Sequence, residues 1–340
     1  MIKDKAKIEI DPKIKPHGYL ELSLKKNPRN QIRFLKKMDY IKKHLKNDIN
    51  KKEFKYFNLI YNSYSKLKKE IKLDKEDYVL DENEINESSV YEKKKLLRYI
   101  VYRYKYNVYP ILYKIDNFPP CLQIEPTSIC NFRCVMCYQS DKSFSSKSNG
   151  FMSYMNIDLF KKIIDEIEGK IEAVTFASRG EPTLHQQLPT MLQYCYGKFL
   201  GLKINTNASM LNEKMIHSLL SSDLQTIVFS IDAADKETYE KIRVNGKFES
   251  ILKNLKLFKK IRTKHYPESK HIIKVSGVKI LKNQNIDEVN IFWKDYADVT
   301  AFVPYTPWQS SYSNPINNHK HPCEELWQRM FIWADGKINP

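Results

Sequence analysis

From Pro28 onward, apolar side chains recur every three or four positions among lysines. Ile32, Leu35, Met38, Ile41 and Leu45 form one stripe, and Phe54, Phe57, Ile60, Tyr64, Leu67 and Ile71 a second. That period predicts two amphipathic helices, each with one buried face. Asp81-Glu82-Asn83-Glu84 reads as an acidic linker. A third helix is expected from Ser88 to about Tyr109, with Val90, Leu97, Ile100, Val101 and Tyr104 turned inward. Pro110 bends or ends it, and Pro119-Pro120 marks a boundary. Residues 1–26, with Pro12, Pro16 and Gly18, hold no sustained period and read as an extended arm.

After Pro120 the pattern changes to short apolar runs alternating with helical stripes. Strands are expected at Leu122–Pro126, Ala173–Phe176, Leu202–Asn205, Thr226–Ile231, Ile272–Ile280 and Thr300–Val303. Helices are expected at Asn156–Glu168, Gln186–Lys198, Asn212–Ser221, Asp235–Arg243, Phe248–Arg262 and Asp287–Tyr296, and Asp141–Gly150 reads as a mobile loop. Repeated strand–helix units predict a parallel sheet with right-handed crossovers. The fold class is therefore α/β: a partial (β/α)6 TIM-like barrel with an N-terminal helical appendage. Residues 1–119 form the Lys-rich helical region, 120–304 the barrel and 305–340 the start of a further module. In barrels of parallel strands, function sits at the carboxyl ends.

Composition adds an uneven charge. Of the net +17, +12 falls in residues 1–120 and +5 in the remainder. Such a surface can attract nucleic acid, anionic lipid or acidic substrates, although a chain rich in Lys rather than Arg also fits a merely solvated face. The amino terminus, Met1-Ile2-Lys3-Asp4-Lys5, leads into no apolar segment of the kind a signal peptide needs. No run approaches the roughly 18 apolar residues of a spanning helix. With six cysteines, half of them in one motif, the expectation is a soluble cytoplasmic protein.

The chemistry concentrates in Cys130-Asn131-Phe132-Arg133-Cys134-Val135-Met136-Cys137, a C-x3-C-x2-C spacing just after the first expected strand. Cysteine thiolates are the usual ligands of iron–sulfur clusters. Three protein ligands leave one iron of a four-iron cluster open, as reactive metal sites require. The same three thiols could supply part of a zinc site, which normally takes four N/S ligands. At the next strand end stands Ser178-Arg179-Gly180-Glu181-Pro182-Thr183, where Gly180 permits a tight turn and Pro182 stiffens its exit. Then come Asn205-Thr206-Asn207 and Ser230-Ile231-Asp232-Ala233, followed by Tyr239-Glu240-Lys241-Ile242-Arg243. Asp232 reads either as a group facing the barrel mouth beside Ser230 or as a cap for the helix near Asp235.

Together these residues resemble the radical S-adenosylmethionine (radical SAM) superfamily, of the subgroup bearing a SPASM extension. The resemblance covers about residues 120–340. It implies that Cys130, Cys134 and Cys137 hold a [4Fe–4S] cluster whose open iron binds S-adenosyl-L-methionine. Reductive cleavage would then give a 5′-deoxyadenosyl radical that abstracts hydrogen from a substrate. It also implies that the turn Gly180, Glu181 and Pro182 binds the amino group of S-adenosylmethionine. Asn207, Ser230 and Asp232 would line the nucleoside, and Arg243 would meet the methionyl carboxylate. Val275-Ser276-Gly277-Val278 would lie under the adenine, leaving room for the base. The chain departs from the family at Arg179, where a glycine is usual, and at Met136, where an aromatic is usual.

Near the end, Cys323 would be the first ligand of an auxiliary iron–sulfur cluster if the chain continues, and Asp335-Gly336 a hairpin turn. The SPASM-like ending implies a peptide or protein substrate, with a sugar or small molecule next, and an electron donor such as a flavodoxin or ferredoxin. No residue is assigned to the catalytic step itself. The competing class is a zinc-stabilised basic nucleic-acid-binding protein, for which Arg98, Arg103 and Lys105 interleave with tyrosines at Tyr99–Tyr109. That reading leaves the ordered strand-end motifs without explanation, so nucleic acid is not the expected partner.

Overall fold

Among the described residues nine strands make one sheet. They are β1 (Leu20–Glu21), β2 (Cys121–Ile124), β3 (Ala173–Phe176), β4 (Gly201–Thr206), β5 (Thr226–Ser230), β6 (Ile272–Lys279), β7 (Val299–Pro304), β8 (Arg329–Ile332) and β9 (Ile338–Asn339). Their order is β1-β7-β6-β5-β4-β3-β2-β8-β9. From β7 to β8 every neighbouring pair is parallel, and only the two edge strands β1 and β9 run antiparallel. The computed structural model describes residues 20–21, 28–44, 51–282, 284–306, 308–315 and 322–339. Most of the expected arm over 1–26, and Leu45, lie outside the described residues.

The helices are α1 (Pro28–His44), α2 (Lys51–Lys68), α3 (Glu82–Ser88), α4 (Lys93–Leu112), α5 (Lys142–Ser145), α6 (Ile157–Ile167), α7 (Leu188–Tyr194), α8 (Glu213–Leu220), α9 (Lys236–Ile242), α10 (Phe248–His265), α11 (Ile286–Trp293) and α12 (Glu325–Gln328). Strand and helix alternate from β2 to β7, as α/β crossovers require. The open ends of the sheet make it a partial (β/α)6 TIM-like barrel with an N-terminal helical region. Helix α6 shows how the sequence fixes an element. Asn156 accepts the N–H groups of Asp158 and Leu159, and Phe160, Ile163, Ile164 and Ile167 are buried on one side.

Side-chain parity divides the sheet into two faces. Leu122, Ile124, Val174, Phe176, Leu202, Ile204, Ile227, Phe229, Ile273 and Val275 join the buried core with Phe160, Leu192, Ile216, Phe258 and Trp293 from the helices. The alternate positions Gln123, Thr175, Lys203, Asn205, Thr226, Ser230, Lys274 and Ser276 are only half-buried, and they face the concave side. A closed barrel usually fills this space with branched apolar side chains. Here it is polar.

The helical region has its own core of Phe34, Met38, Ile41, Phe57, Ile60, Tyr64, Leu96, Ile100, Tyr104 and Val108, which also takes in Leu200 from the barrel. Tyr91 donates to Leu200 O at 2.9 Å, Arg98 pairs with Glu172 at 2.6 Å, and Arg329 donates to Tyr106 at 2.7 Å. These bonds dock α4 beneath the strands' amino ends.

Several local expectations change. The supposed acidic linker is the start of α3, where Asp81 accepts from Glu84 N and Glu84 answers to Asp81 N in a capping box. Helix α4 begins at Lys93, after a turn that leaves Val90 exposed, and runs through Pro110 to a left-handed Tyr113 with φ 51°. Ile32, Leu67 and Ile71 are exposed, so the apolar stripes are narrower than the period implied. The segment after Asp141 is ordered, because Asp141 accepts from Ser143 N and from Ser313 N at 3.0 Å and Phe144 is fully buried. No helix of the described residues is long and apolar enough to cross a membrane.

Candidate functional site

The cysteine loop leaves β2 through Glu125 and is fixed on three sides. Ser128 Oγ donates to Phe151 O at 2.6 Å, and Met155 N donates to Pro126 O at 2.8 Å. Arg133 N and Val135 N donate to Val244 O and Ile242 O at 2.9 and 3.1 Å, tying the loop to the end of α9. Glu181 N donates to Ile129 O at 2.9 Å. Gly180 makes that last approach possible. A Cβ there would stand 2.1 Å from Thr127 O and 2.8 Å from Ile129 O, so no larger residue fits without moving backbone. Phe132 and Met136 point inward and are buried, so Met136 serves as packing.

The three thiols are free and sit in a field of donors. Cys130 Sγ accepts from Phe132 N at 3.4 Å and from Asn207 Nδ2 at 3.9 Å, and Cys134 Sγ accepts from Arg243 Nη1 at 3.6 Å. Burial pushes the Cys130 thiol up to about 12 and the Cys134 thiol up to about 11, and it raises Cys137 as well. Cys130 is raised further by Cys134 and Cys137, whereas Arg243 opposes the rise at the latter two. N–H donors aimed at sulfur suit an iron–sulfur centre, which these three cysteines would hold as thiolates. Among the described residues, no group of three or more His, Cys, Asp or Glu side chains is closed up into metal-holding geometry. The fit therefore rests on donor chemistry and on one shared loop.

The other motifs meet at the strand ends but work through one another. Glu181 is buried, and its carboxylate accepts from Thr183 N at 3.0 Å, Thr206 Oγ1 at 2.6 Å and Asn207 N at 2.6 Å. Burial raises its pKa despite those donors. It holds the Pro182 turn and the end of β4 together, while Asn207 reaches on to Asn131 Oδ1 at 3.0 Å. Ser230 is half-buried at the end of β5 on the concave face.

Asp232 has no exposed surface. Its oxygens accept from Arg243 Nε at 2.5 Å and from Val278 N at 2.7 Å, so it anchors Arg243 and is closed to solvent. The cap of α9 is Asp235, which accepts from Thr238 N. Arg243, read above as the residue that would meet the methionyl carboxylate, is buried. Burial works against its charge, yet Asp232 and Cys134 hold its pKa well above the ordinary value. The room at Gly277 is filled: a Cβ there would meet Phe302 at 2.4 Å and Ile231 O at 2.6 Å. Cys323 is exposed.

Sequence reasoning missed the ion pair that closes the site from below. Arg179 donates through Nε and Nη2 to both oxygens of Glu125 at 2.8 and 2.6 Å, and through Nη1 to Tyr312 at 2.7 Å. It lies 4.0 Å from the centre of the Trp333 ring, and Ala334 N donates to Glu125 at 3.2 Å. Gln139 Nε2 bridges Ser128 O and Arg179 O, both at 2.7 Å. The residue that replaces the usual glycine thus joins the cysteine loop to the hairpin β8–β9. The only sequence signal was a charge at each of two apolar strand ends. The tyrosines and basic residues at 98–109 are partly engaged within the protein. Tyr99, Tyr104 and Tyr109 are core, and Arg98 and Arg103 pair with Glu172 and Glu84.

Comparison with known proteins bears on the same residues. The family described as the Radical SAM superfamily matches residues 124–290. Mycofactocin maturase MftC of Mycolicibacterium smegmatis is 23% identical over 238 residues, 68% of this chain and 57% of that protein. GTP 3′,8-cyclase of Aliarcobacter butzleri is 30% identical over 189 residues, 54% of each chain. The chain thus spans a little over half the length of these two relatives. Among solved structures, Streptococcus suis SuiB bound to precursor peptide SuiA is similar with a TM-score of 0.47 and 15% identity, covering 82% of this chain and 70% of that one. A likeness of that degree adds nothing to the assignment of substrate.

Proposed function

This chain belongs to the Radical SAM superfamily, and from that premise we propose that it is an enzyme cleaving S-adenosylmethionine to draw hydrogen from a peptide or protein side chain. Cys130, Cys134 and Cys137 would hold the [4Fe–4S] cluster. When bound, that cluster supplies the electron that cleaves the sulfonium to a 5′-deoxyadenosyl radical. The observation that carries the reading is the backbone junction of two motifs fifty residues apart: Glu181 N on Ile129 O at 2.9 Å, with Gly180 packed on Thr127 O. It sets a turn with the family's Gly-Glu-Pro against the loop with its cysteines.

The protein's own part is positional. Glu181, through Thr206 and Asn207, fixes the rim on which the nucleoside would rest, and Ser230 presents a hydroxyl on the same concave face. Arg243 sets a fixed cation beside Cys134. The peptide preference draws support from a relative named as a maturase, whereas the cyclase among the relatives keeps a small molecule as the second reading. A flavodoxin or ferredoxin would deliver the electron. Cys323, exposed, would serve an auxiliary cluster only with thiols brought from elsewhere.

Anaerobic reconstitution tests the proposal. About four iron per chain and 5′-deoxyadenosine formed under a strong reductant are expected, with both lost in Cys134→Ala. Zinc in place of iron, or cleavage retained in that variant, contradicts it.

A further inference from the structure

The floor of the concave face holds three cations that the site at the strand tips does not use. Lys203 on β4 and Lys274 on β6 share this face, since Lys203 pairs in register with Thr226, Val228 pairs with Lys274, and 226 and 228 have one parity. Arg329 opens β8 beside Cys121, on the same face. Both lysines are half-buried, and neither ammonium forms a hydrogen bond or ion pair among the described residues. Arg329 donates to Tyr106 at 2.7 Å and to Gln123 at 3.4 Å and lies 3.6 Å from Glu325, but its Nε is buried without a partner.

The anions that would neutralise such a group are committed elsewhere. Among the described residues, Glu125 and Asp232 on this face are each paired with their own arginine, the Glu181 carboxylate at the strand tips is taken up by Thr183, Thr206 and Asn207, and Glu325 reaches Arg329 alone. Lys203 and Lys274, half out of bulk water and without an ion pair among the described residues, carry a cost that folding alone gives no reason to keep. Helix α4 meets the face from beneath, where Arg329 donates to Tyr106, so the three cations gather at the floor of the concave face.

We propose that Lys203, Lys274 and Arg329 form an anion subsite at the base of the chamber, which seats a carboxylate or phosphate group of the substrate. The inference rests on the reading that the concave face is the chamber of the radical reaction. From Lys203 to Asn207 is four residues of strand, so the anionic group would sit on the order of 10 Å below the cysteine loop. The substrate would therefore be acidic, with its reacting carbon held away from its acid. It would also give the N-terminal helices a task, that of flooring this chamber.

Titration follows the same geometry. Burial, then Lys274 and Arg329, push Lys203 down to about 8, against Cys121 and Glu87, which act the other way. Anion affinity is thus highest below pH 8 and falls as the pH rises through it.

Calorimetric titration of the reconstituted holoenzyme at physiological salt, with tripolyphosphate and with citrate as probes, decides the matter and separates phosphate from carboxylate. One equivalent of either probe should bind, at least tenfold more weakly in Lys203→Gln and in Lys274→Gln and with affinity recovered in Lys203→Arg. The variant pair Lys256→Gln/Lys260→Gln, on the open lysine groove of α10, should bind as the wild type does. A structural role for Lys203 predicts that Lys203→Gln melts lower without ligand; an unpaired cation predicts that it melts as high or higher. Absence of binding by both probes, equal binding in the lumen variants, or loss tracking the α10 lysines overturns the proposal. These titrations need no turnover. A wild type that cleaves S-adenosylmethionine but ignores both probes sinks the subsite alone, and one that binds a probe but never cleaves sinks the reaction alone.

Discussion

The guanidinium of Arg243 lies between two groups with opposite claims on it: Nε meets the Asp232 carboxylate at 2.5 Å, and Nη1 meets Cys134 Sγ at 3.6 Å. One cation is shared by a fully buried carboxylate and a proposed cluster ligand, so removing it harms both. In Arg243→Gln the Asp232 charge is left buried and unpaired, which costs about 3–5 kcal/mol. Urea unfolding should show that loss, and most of it should return in Arg243→Gln/Asp232→Asn, where no buried charge remains. Iron bound after reconstitution should fall in the single variant and recover in the double. Equal stability of wild type and single variant would show that Arg243 is not buried as described.

The Glu125–Arg179 pair makes a parallel case with a different readout. Arg179→Met strands the Glu125 carboxylate and lifts the cation from the Trp333 ring, 4.0 Å away. A stability loss of about 3–5 kcal/mol is expected, together with a change in the near-ultraviolet signal of Trp333. Arg179→Gly, which restores the usual family residue, should be no better, because here the hairpin β8–β9 depends on the arginine.

Gly180→Ala tests the junction of the two motifs. The added methyl would lie 2.1 Å from Thr127 O, a backbone atom, so relief requires the cysteine loop to move. Overpacking of this kind costs about 1–3 kcal/mol or more. The expected result is a protein with lower thermal stability that retains less iron than wild type. Retention of full iron content would mean the junction is looser than drawn.

How much of this was legible beforehand follows from range and parity. The cysteine spacing and the Gly180-Glu181-Pro182 turn are local patterns, and the strands from Ala173 and Thr226 begin where the apolar runs did. Partnerships across the chain were not legible. Nothing near Asp232 says that Arg243 will claim it, and Glu125 and Arg179 stand 54 residues apart. The polar face was present in the sequence as every second residue, Gln123, Thr175, Lys203 and Lys274, but strands of four to eight residues hide a period of two. The strand at Arg329–Ile332 was missed because it joins β2 from the far end of the chain.

His185 supplies the pH dependence. It is buried, Nδ1 accepts from Gln187 N at 3.1 Å, and Nε2 therefore donates to Met155 O at 3.0 Å, which fixes the neutral ring. Burial lowers its pKa below 6.5. The folded state then binds fewer protons than the unfolded one just below pH 6.5, so its stabilising share is complete above that pH and declines as the pH falls. Urea unfolding at pH 7.5 and 5.5 should show the decline, and His185→Gln should flatten the slope. A ring that titrates at or above 6.5 by NMR would contradict this.

The central claim is an iron–sulfur cluster on Cys130, Cys134 and Cys137 with one iron open to S-adenosylmethionine. Electron paramagnetic resonance of the reduced, reconstituted protein tests it most directly. The account predicts a [4Fe–4S] signal whose g values shift when S-adenosylmethionine is added, and no such signal in Cys134→Ala. A reduced cluster whose spectrum is indifferent to S-adenosylmethionine would contradict it.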